Sequence, residues 1–173
     1  MSAASATNRL PRATTRGAVV FTWDDGYASQ AAVGDLAQQR GQQHTFFINS
    51  QLLNTPSHLT PGQVAALATA GHEIGSHGRT HVDVTTLSPA ARRAQWDGSK
   101  ADLEAIVGAG KVTSYAYPYG NRNAATDQGL YLTYDRIRGI SFNAAAGKLG
   151  GLLSTLGGQD GRSPLLIGAV NWD

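Results

Sequence analysis

Alternating strand and helix signals predict an α/β fold with parallel strands. Short apolar runs, rich in β-branched and aromatic residues, alternate with helical patterns along the chain. Two of these helices open on Ser or Thr followed by Pro, and polar motifs stand where several apolar runs end. At 173 residues the chain is about the size of one domain. We therefore expect one α/β sheet or barrel with its chemistry at the carboxyl ends of the strands.

The first half of the chain predicts three strands separated by two helices. Gly41 and Gly71 each follow a helical pattern and predict where it ends, while Thr60 predicts the cap at the start of the second helix. The predicted elements are a strand at 18–22, a helix at about 28–40, a strand at 44–48, a helix from 61 to about 70 and a strand at 72–76.

The second half begins with the longest predicted helix, which opens at Ser88-Pro89 and reaches Val107, although Gly98 weakens its middle. A strand at 112–117 follows. Beyond Gly120 the patterns are less regular. They predict a helix at 121–132, a strand at 137–142, a glycine-rich helix at 144–156 and a strand at 165–170.

Composition excludes several classes of protein. The formal net charge of +2 and the lack of a run of Lys and Arg argue against a nucleic-acid partner. No apolar segment approaches the roughly eighteen residues needed to span a membrane. Without cysteine, any metal must be held by nitrogen and oxygen donors. Residues 1–16 lack the apolar core of a secretory signal and predict a flexible tail, with one domain at 17–173. The oligomeric state stays open.

Two polar motifs carry the functional prediction. Asp24-Asp25-Gly26 follows the first predicted strand, and His77 and His81 follow the third at a spacing of i, i+4. Each motif alone is ordinary, because Asp-Asp-Gly is common in turns and paired histidines are common on solvated helix faces. Their joint position at strand ends indicates a divalent-metal site with a spare carboxylate that can act as a base.

The segments 21–27 (Phe-Thr-Trp-Asp-Asp-Gly-Tyr), 76–81 (Ser-His-Gly-Arg-Thr-His) and 117–120 (Tyr-Pro-Tyr-Gly) resemble the first three motifs of the polysaccharide deacetylases, the NodB-homology domain of carbohydrate esterase family four. Their order and spacing match, and the likeness spans roughly Gly17 to Gly120. The resemblance implies a distorted (β/α) barrel, smaller than the eightfold kind, with a divalent metal at the carboxyl ends of the strands. Zinc is the first expectation, with cobalt or nickel as alternatives.

The resemblance also implies an activity, namely removal of N-acetyl groups from an amino-sugar polymer such as chitin, peptidoglycan or poly-N-acetylglucosamine. Family members usually act outside the cell or at the cell envelope, which suggests the same location here. Carried over by position, Asp25, His77 and His81 would be the metal ligands and Asp24 the general base. The backbone N–H of Tyr119 would stabilise the oxyanion. The expected substrate-binding residues are Trp23, Tyr117, Pro118 and Tyr119.

Two departures from the family pattern shape further expectations. Ala116 stands where the family commonly has an arginine that partners the base, so we expect Arg138 to take that place through space. The family's C-terminal histidine, which acts as general acid toward the leaving amine, has no counterpart after His81. The resemblance therefore predicts a barrel that is incomplete at its C-terminus and a chain cut short of that motif.

Two alternative functions stay open. One is an O-acetyl esterase acting on xylan, since an ester leaving group needs less protonation than an amine. The other is a catalytically weak module that keeps its metal and binds glycan without turnover. A glycosyltransferase that uses the acidic pair to hold a nucleotide-sugar metal is more remote, because no phosphate-binding glycine loop accompanies it.

The remaining polar residues predict structural or solvent-exposed positions. His44 and His72 are expected to be structural, His58 to lie in a loop, and Arg79 to be solvated. Asp83, two residues after His81, predicts either an exposed turn acid or a partner that orients an imidazole.

Overall fold

The computed structural model describes residues 20–140 and 165–169, and within them six strands form one parallel sheet in chain order, β1-β2-β3-β4-β5-β6. Parallel strands in sequential order require a crossover between each neighbouring pair, which helices or loops supply. The strands are β1 Thr22–Trp23, β2 Thr45–Ile48, β3 Glu73–Ser76, β4 Ser114–Ala116, β5 Arg136–Ile140 and β6 Leu165–Ala169.

Within residues 20–140, four α-helices lie between the strands, with single turns of 3-10 helix in three of the loops. The helices are α1 Gln30–Gln39, α2 Pro61–Thr69, α3 Pro89–Val107 and α4 Ala124–Tyr131. Thr60 caps α2 together with the Gln63 side chain, and Ser88 caps α3 by accepting from the Ala91 N–H. The 3-10 turns are Ser50–Leu52, Val84–Thr86 and Pro118–Gly120.

The bounds of α3 agree with the sequence prediction, and most other elements differ from theirs by one to three residues at their ends. The first strand is much shorter than predicted, because Val20 and Phe21 lie before β1, which begins only at Thr22. Helix α4 begins at Ala124 rather than 121 because Asn123 forms the capping box with Thr126. The predicted helix at 144–156, and the predicted strand residues 18–19, 141–142 and 170, lie outside the described residues.

The predicted fold class is confirmed, since the strands and helices form a parallel (β/α) half-barrel. No strand pairing joins β6 back to β1 within residues 20–140 and 165–169. The core lies between the sheet and the helices, where Phe46, Ile48, Leu67 and Leu103 are buried with Tyr115. None of the described helices is long and apolar enough to cross a membrane.

The parallel arrangement decides where the motifs meet. β1, β3 and β4 end immediately before Asp24, His77 and Tyr117, respectively. Because neighbouring parallel strands end at the same edge, their loops lie side by side there. The three motifs therefore converge at the carboxyl edge of the sheet, although they are separated by up to about a hundred residues in sequence.

Candidate functional site

A tight turn directly after β1 presents the two aspartates. Asp25 and Gly26 both have left-handed backbones, with φ of 74° and 76°. Glycine adopts this region freely and Asp tolerates it, which suits this pair to a reversal of the chain. The Gln30 side-chain amide donates to the Asp24 carbonyl, and the Leu59 N–H donates to the Gly26 carbonyl at 2.9 Å or less. These bonds fix the turn that carries both carboxylates.

His77 is the first residue after β3 and is only 2% exposed. Its backbone N–H donates to the Ile48 carbonyl at 2.9 Å, which continues the hydrogen bonding between β2 and β3. Its ring Nδ1 lies 2.9 Å from the Ala116 carbonyl at the end of β4. A carbonyl can only accept, so Nδ1 carries the proton, and in the neutral ring Nε2 presents a lone pair.

The second histidine lies in the loop that follows. His81 has a left-handed backbone with φ of 54°, and its ring centroid is 5.0 Å from that of His77. Left-handed φ at a non-glycine residue costs free energy and persists only where the surroundings impose it. The loop is therefore held in a conformation that turns both rings toward the same space.

Both rings converge on one carboxylate oxygen. Asp25 Oδ1 lies 3.4 Å from His77 Nε2 and 3.2 Å from His81 Nε2. Suitable ligand atoms of these three residues all lie within 4.8 Å of one another. The same Asp25 oxygen is buried and has no hydrogen-bond partner among the described residues. A buried carboxylate oxygen that faces two imidazole nitrogens without a hydrogen bond to either is suited to a cation at the centre.

The three residues fit a divalent transition metal. In tetrahedral zinc sites, where zinc–nitrogen and zinc–oxygen bonds are about 2.0–2.1 Å, two ligand atoms lie about 3.3 Å apart. The separations of Asp25 Oδ1 from the two imidazole nitrogens, 3.4 and 3.2 Å, are close to that value. His77 donates from Nδ1 to a backbone carbonyl, as metal-ligating histidines usually do. Two imidazoles and one carboxylate would leave coordination positions open.

The electrostatics favour the forms that bind a metal. The neighbouring His77 ring lowers the pKa of Asp25, against the effect of burial, and His81 lowers it further. Burial lowers the pKa of His81, and His77 adds to this, while the two aspartates oppose it. Both shifts favour a carboxylate beside a neutral imidazole, which are the states that coordinate a cation.

Asp24 is paired with an arginine from a distant part of the chain. Arg138, on β5 and 114 residues away in sequence, donates from Nη2 to Asp24 Oδ2. The guanidinium is buried and lies over the Phe47 ring, with Cζ 5.0 Å from the centroid. The structure thus brings Arg138 to the carboxylate, as expected from the sequence. Asp24 Oδ1 has no hydrogen-bond partner within the described residues.

Tyr119 lies beside the site, in the loop after β4. Its ring centroid is 4.5 Å from that of His81, its side chain is 61% exposed, and its backbone is left-handed with φ of 59°. Among the described residues, its N–H has no hydrogen-bond acceptor. Tyr119 therefore combines an exposed aromatic surface with a free backbone donor beside the candidate ligands.

The structure corrects two of the four expected substrate contacts. Tyr117 is 1% exposed and donates from its hydroxyl to Asp127, and Pro118 is also buried. Both side chains are buried because they follow β4 directly, whereas the next residue, Tyr119, has a left-handed backbone and is exposed. Trp23 is half-buried, and its indole N–H donates to His44 Nδ1 at 3.1 Å.

Sequence reasoning missed the partner of Arg79. The guanidinium makes two hydrogen bonds of 2.9 Å to the Asp102 carboxylate on α3, so it is paired rather than merely solvated. No local pattern links the two residues, which are 23 apart in sequence. Asp83 also differs from one expectation, since it accepts from Thr85 and Asn121 rather than from an imidazole. It thereby ties the His81 loop to the loop that carries Tyr119.

The remaining histidines away from the site have structural contacts. His72 accepts from the His44 backbone N–H through Nδ1 and contacts the Gly34 carbonyl through Nε2 at 3.1 Å. These bonds join α1, β2 and β3 at the opposite end of the strands from the site. His58 lies in a loop and stacks on Tyr27 with ring centroids 5.2 Å apart.

Comparison with known proteins decides the family. The sequence profile of the polysaccharide deacetylases matches residues 12–136, well over half of the chain. This chain belongs to the polysaccharide deacetylase family. The match begins inside the segment expected to be a tail and ends close to Arg138, so it covers both carboxylates and both histidines.

Individual proteins are also similar to this chain. A gellan lyase from a Bacillus species is 36% identical over 61% of this chain and 4% of its own length. A chitin deacetylase from a Pestalotiopsis species is 35% identical over 60% of this chain and 35% of its own length. A crystal structure of a polysaccharide deacetylase from Bacillus cereus superposes with a TM-score of 0.73 at 19% identity, covering 88% of this chain and 46% of that one.

The family and the chitin deacetylase support the general class of hydrolase, and the solved structure supports the fold. The chain spans about a third of the length of the chitin deacetylase and a far smaller part of the gellan lyase. At 19% identity, the likeness to the solved structure concerns the fold alone. The substrate and the metal therefore have to be argued from the site.

Proposed function

We propose that this protein is a metal-dependent hydrolase that removes N-acetyl groups from an acetylated amino-sugar polymer of the chitin, peptidoglycan or poly-N-acetylglucosamine type. The observation that carries the proposal is the convergence of His77 Nε2 and His81 Nε2 on one unpartnered oxygen of Asp25. The family and the chitin deacetylase relative support the substrate class. Zinc is the first candidate for the metal, with cobalt or nickel as alternatives.

Asp25, His77 and His81 would hold the metal. When bound, a divalent cation supplies a Lewis acid and lowers the pKa of water. The ring of Tyr119 lies beside that of His81 and is exposed, so it would pack against a sugar bound at the site. Trp23 is a second aromatic candidate for that groove, because it precedes Asp24 and is only half-buried.

Asp24 would act as the general base. It would accept a proton from water as the water oxygen forms a bond to the acetyl carbon, while Arg138 holds the carboxylate in place. The carbonyl electron pair would move onto its oxygen, toward the free N–H of Tyr119. When the C–N bond breaks, the amine takes up the proton that Asp24 accepted. The products are acetic acid and a free amine, which exchange a proton to become acetate and an ammonium group, so one water is consumed for each acetyl group removed.

Acetate release from N-acetylglucosamine oligomers tests the proposal. We expect a chelator to abolish release and zinc or cobalt to restore it. Asp24→Asn should lower kcat by about 100-fold or more, because it removes the base, and should leave metal binding intact. Asp35→Asn makes the same chemical change on the exposed face of α1 and should release acetate at the parent rate.

Two results would reject the proposal. One is the absence of acetate release from every acetylated glycan by protein that holds metal. The other is full activity in Asp24→Asn. Acetylated xylan in the same assay separates the esterase alternative, since faster release from the ester than from the amide would place the protein with the O-acetyl esterases. Retention of glycan without release of acetate would instead favour a binding module.

A further inference from the structure

Helix α3 carries a stripe of polar side chains that is at least partly buried against neighbouring loops. Arg92, Gln95, Ser99 and Asp102 follow one another at intervals of three and four residues, so they share one face of the helix. Ser99 is fully buried, and the other three make part-buried hydrogen bonds. We call these four residues the α3 stripe.

The partners of the stripe lie in the loop that contains the two histidines. Gln95 Oε1 accepts from the backbone N–H groups of Arg79 and Thr80 at 2.9 and 3.2 Å, and its Nε2 donates to Thr80 Oγ1 at 3.0 Å. Ser99 donates to the Gly78 carbonyl at 3.1 Å. Each of the three residues between His77 and His81 is thus bonded to α3.

The first and last residues of the α3 stripe, Arg92 and Asp102, also bond to this loop or to the turn that follows it. Asp102 accepts two hydrogen bonds from the Arg79 side chain and one from Ser50. Arg92 donates at 3.0 Å to the carbonyls of Val84 and Thr85, just beyond His81. The stripe therefore runs alongside the histidine loop from its first residue to the turn that follows it.

A separate face of α3 anchors the helix to the core. Trp96 and Leu103 are buried in the hydrophobic cluster beneath the sheet. The hydrogen bonds of the stripe go to the loops around the histidines, apart from one that Ser99 accepts from Ser76 at the end of β3. An apolar side chain at Gln95 would leave the backbone N–H groups of Arg79 and Thr80 without the acceptor that now holds them.

From this arrangement we infer that the α3 stripe positions the histidine loop for metal binding, with Gln95 as its central positioning residue. The inference rests on the proposed function. His81 has φ of 54°, a conformation that needs outside support, and Gln95 supplies it at Thr80, the preceding residue. Without Gln95, the loop would sample conformations in which the His81 ring no longer faces Asp25. Metal affinity would then fall although all three ligands are intact.

The test compares three variants of the whole chain. Gln95→Ala removes the bonds to Arg79 and Thr80, whereas Gln95→Glu keeps an oxygen that can accept both N–H groups. Arg93→Ala, two residues earlier and on the exposed side of α3, is the matched control. Zinc affinity is measured by competition with a chelator, and the exchange of the Arg79 and Thr80 amide protons is measured in metal-free protein.

We expect Gln95→Ala to bind zinc about 10-fold more weakly than the parent. Its Arg79 and Thr80 amides should exchange faster, while Gln95→Glu and Arg93→Ala stay close to the parent in both measurements. Parent affinity and parent exchange in Gln95→Ala would overturn the inference, as would an equal loss in Arg93→Ala. A parent that binds no zinc would instead reject the proposed function, and the exchange measurement would still decide whether the stripe orders the loop.

Discussion

Gly98→Ala should fail to stabilise α3, although alanine is the better helix former. Gly98 lies in the middle of the helix, where glycine costs about 1 kcal/mol relative to alanine. A Cβ at this position would lie 2.6 Å from Arg79 Cζ and 2.6 Å from Arg79 Nε. The guanidinium crosses the helix at that point to reach Asp102, so the added methyl group would displace it.

The expected loss of stability follows from the ion pair between Arg79 and Asp102, which the added methyl group would break. Arg79 and Asp102 are about 30% exposed and share two hydrogen bonds of 2.9 Å. Hydrogen bonds to charged groups contribute about 1.5–3 kcal/mol, but solvent screening at this exposure reduces the pair to about 1–2 kcal/mol. This loss offsets or exceeds the helix gain of about 1 kcal/mol. We therefore expect Gly98→Ala to lie between neutral and about 1 kcal/mol destabilising.

Urea unfolding of four proteins measures this coupling: the parent, Gly98→Ala, Arg79→Ala and the double variant. In the Arg79→Ala background the methyl group has space, and Gly98→Ala should stabilise by about 1 kcal/mol. The two effects of the same substitution should therefore differ by about 1–2 kcal/mol. Equal stabilisation in both backgrounds would refute the steric argument.

Two further predictions concern stability away from the site. Gly34→Ala should destabilise by about 1–3 kcal/mol, because its Cβ would lie 2.1 Å from a methyl carbon of Leu67. Gly62→Ala is the control, because its Cβ has space and the substitution should be neutral or stabilising. The urea midpoints of the two variants measure the difference, and equal effects would contradict the prediction. Burial would raise the pKa of Glu73, but hydrogen bonds from Ser114, Arg136 and Thr45 lower it below its ordinary 4.5. Because the folded pKa is the lower one, this stabilisation is present above about pH 4.5 and is lost as the pH falls through the folded value. The stability advantage of the parent over Glu73→Gln should thus shrink between pH 5 and pH 3, and a constant difference across that range would contradict it.

Local patterns were enough to predict the framework of the site. The strand ending at Trp23, the helix capped by Ser88 and the strand ending at Ser76 are each encoded within a few residues. Parallel pairing then requires the carboxyl ends to share one edge, so the juxtaposition of Asp25 and His77 follows from topology. The pairing of Arg138 with Asp24 was predictable only because the family pattern showed that an arginine was missing at Ala116.

Other features depended on tertiary contacts that no local pattern reveals. Tyr117 and Tyr119 are two residues apart and chemically alike, yet one is buried and the other exposed, because the chain turns at Pro118. Gln95 and Asp102 have the spacing of a solvated helix face, and only the packed structure shows that they bind a loop. The sequence likewise indicates only that Gly98 weakens α3, and the structure shows that the Arg79 guanidinium lies against it.

X-ray absorption at the zinc edge of the metal-loaded protein examines the arrangement of Asp25, His77 and His81 itself. We expect one zinc per chain, with two imidazole nitrogens and carboxylate or water oxygens at about 2.0–2.1 Å. His77→Ala should remove one imidazole from the spectrum and weaken zinc binding. A spectrum without imidazole scattering, or one that His77→Ala leaves unchanged, would contradict the proposal that these three residues hold a single ion.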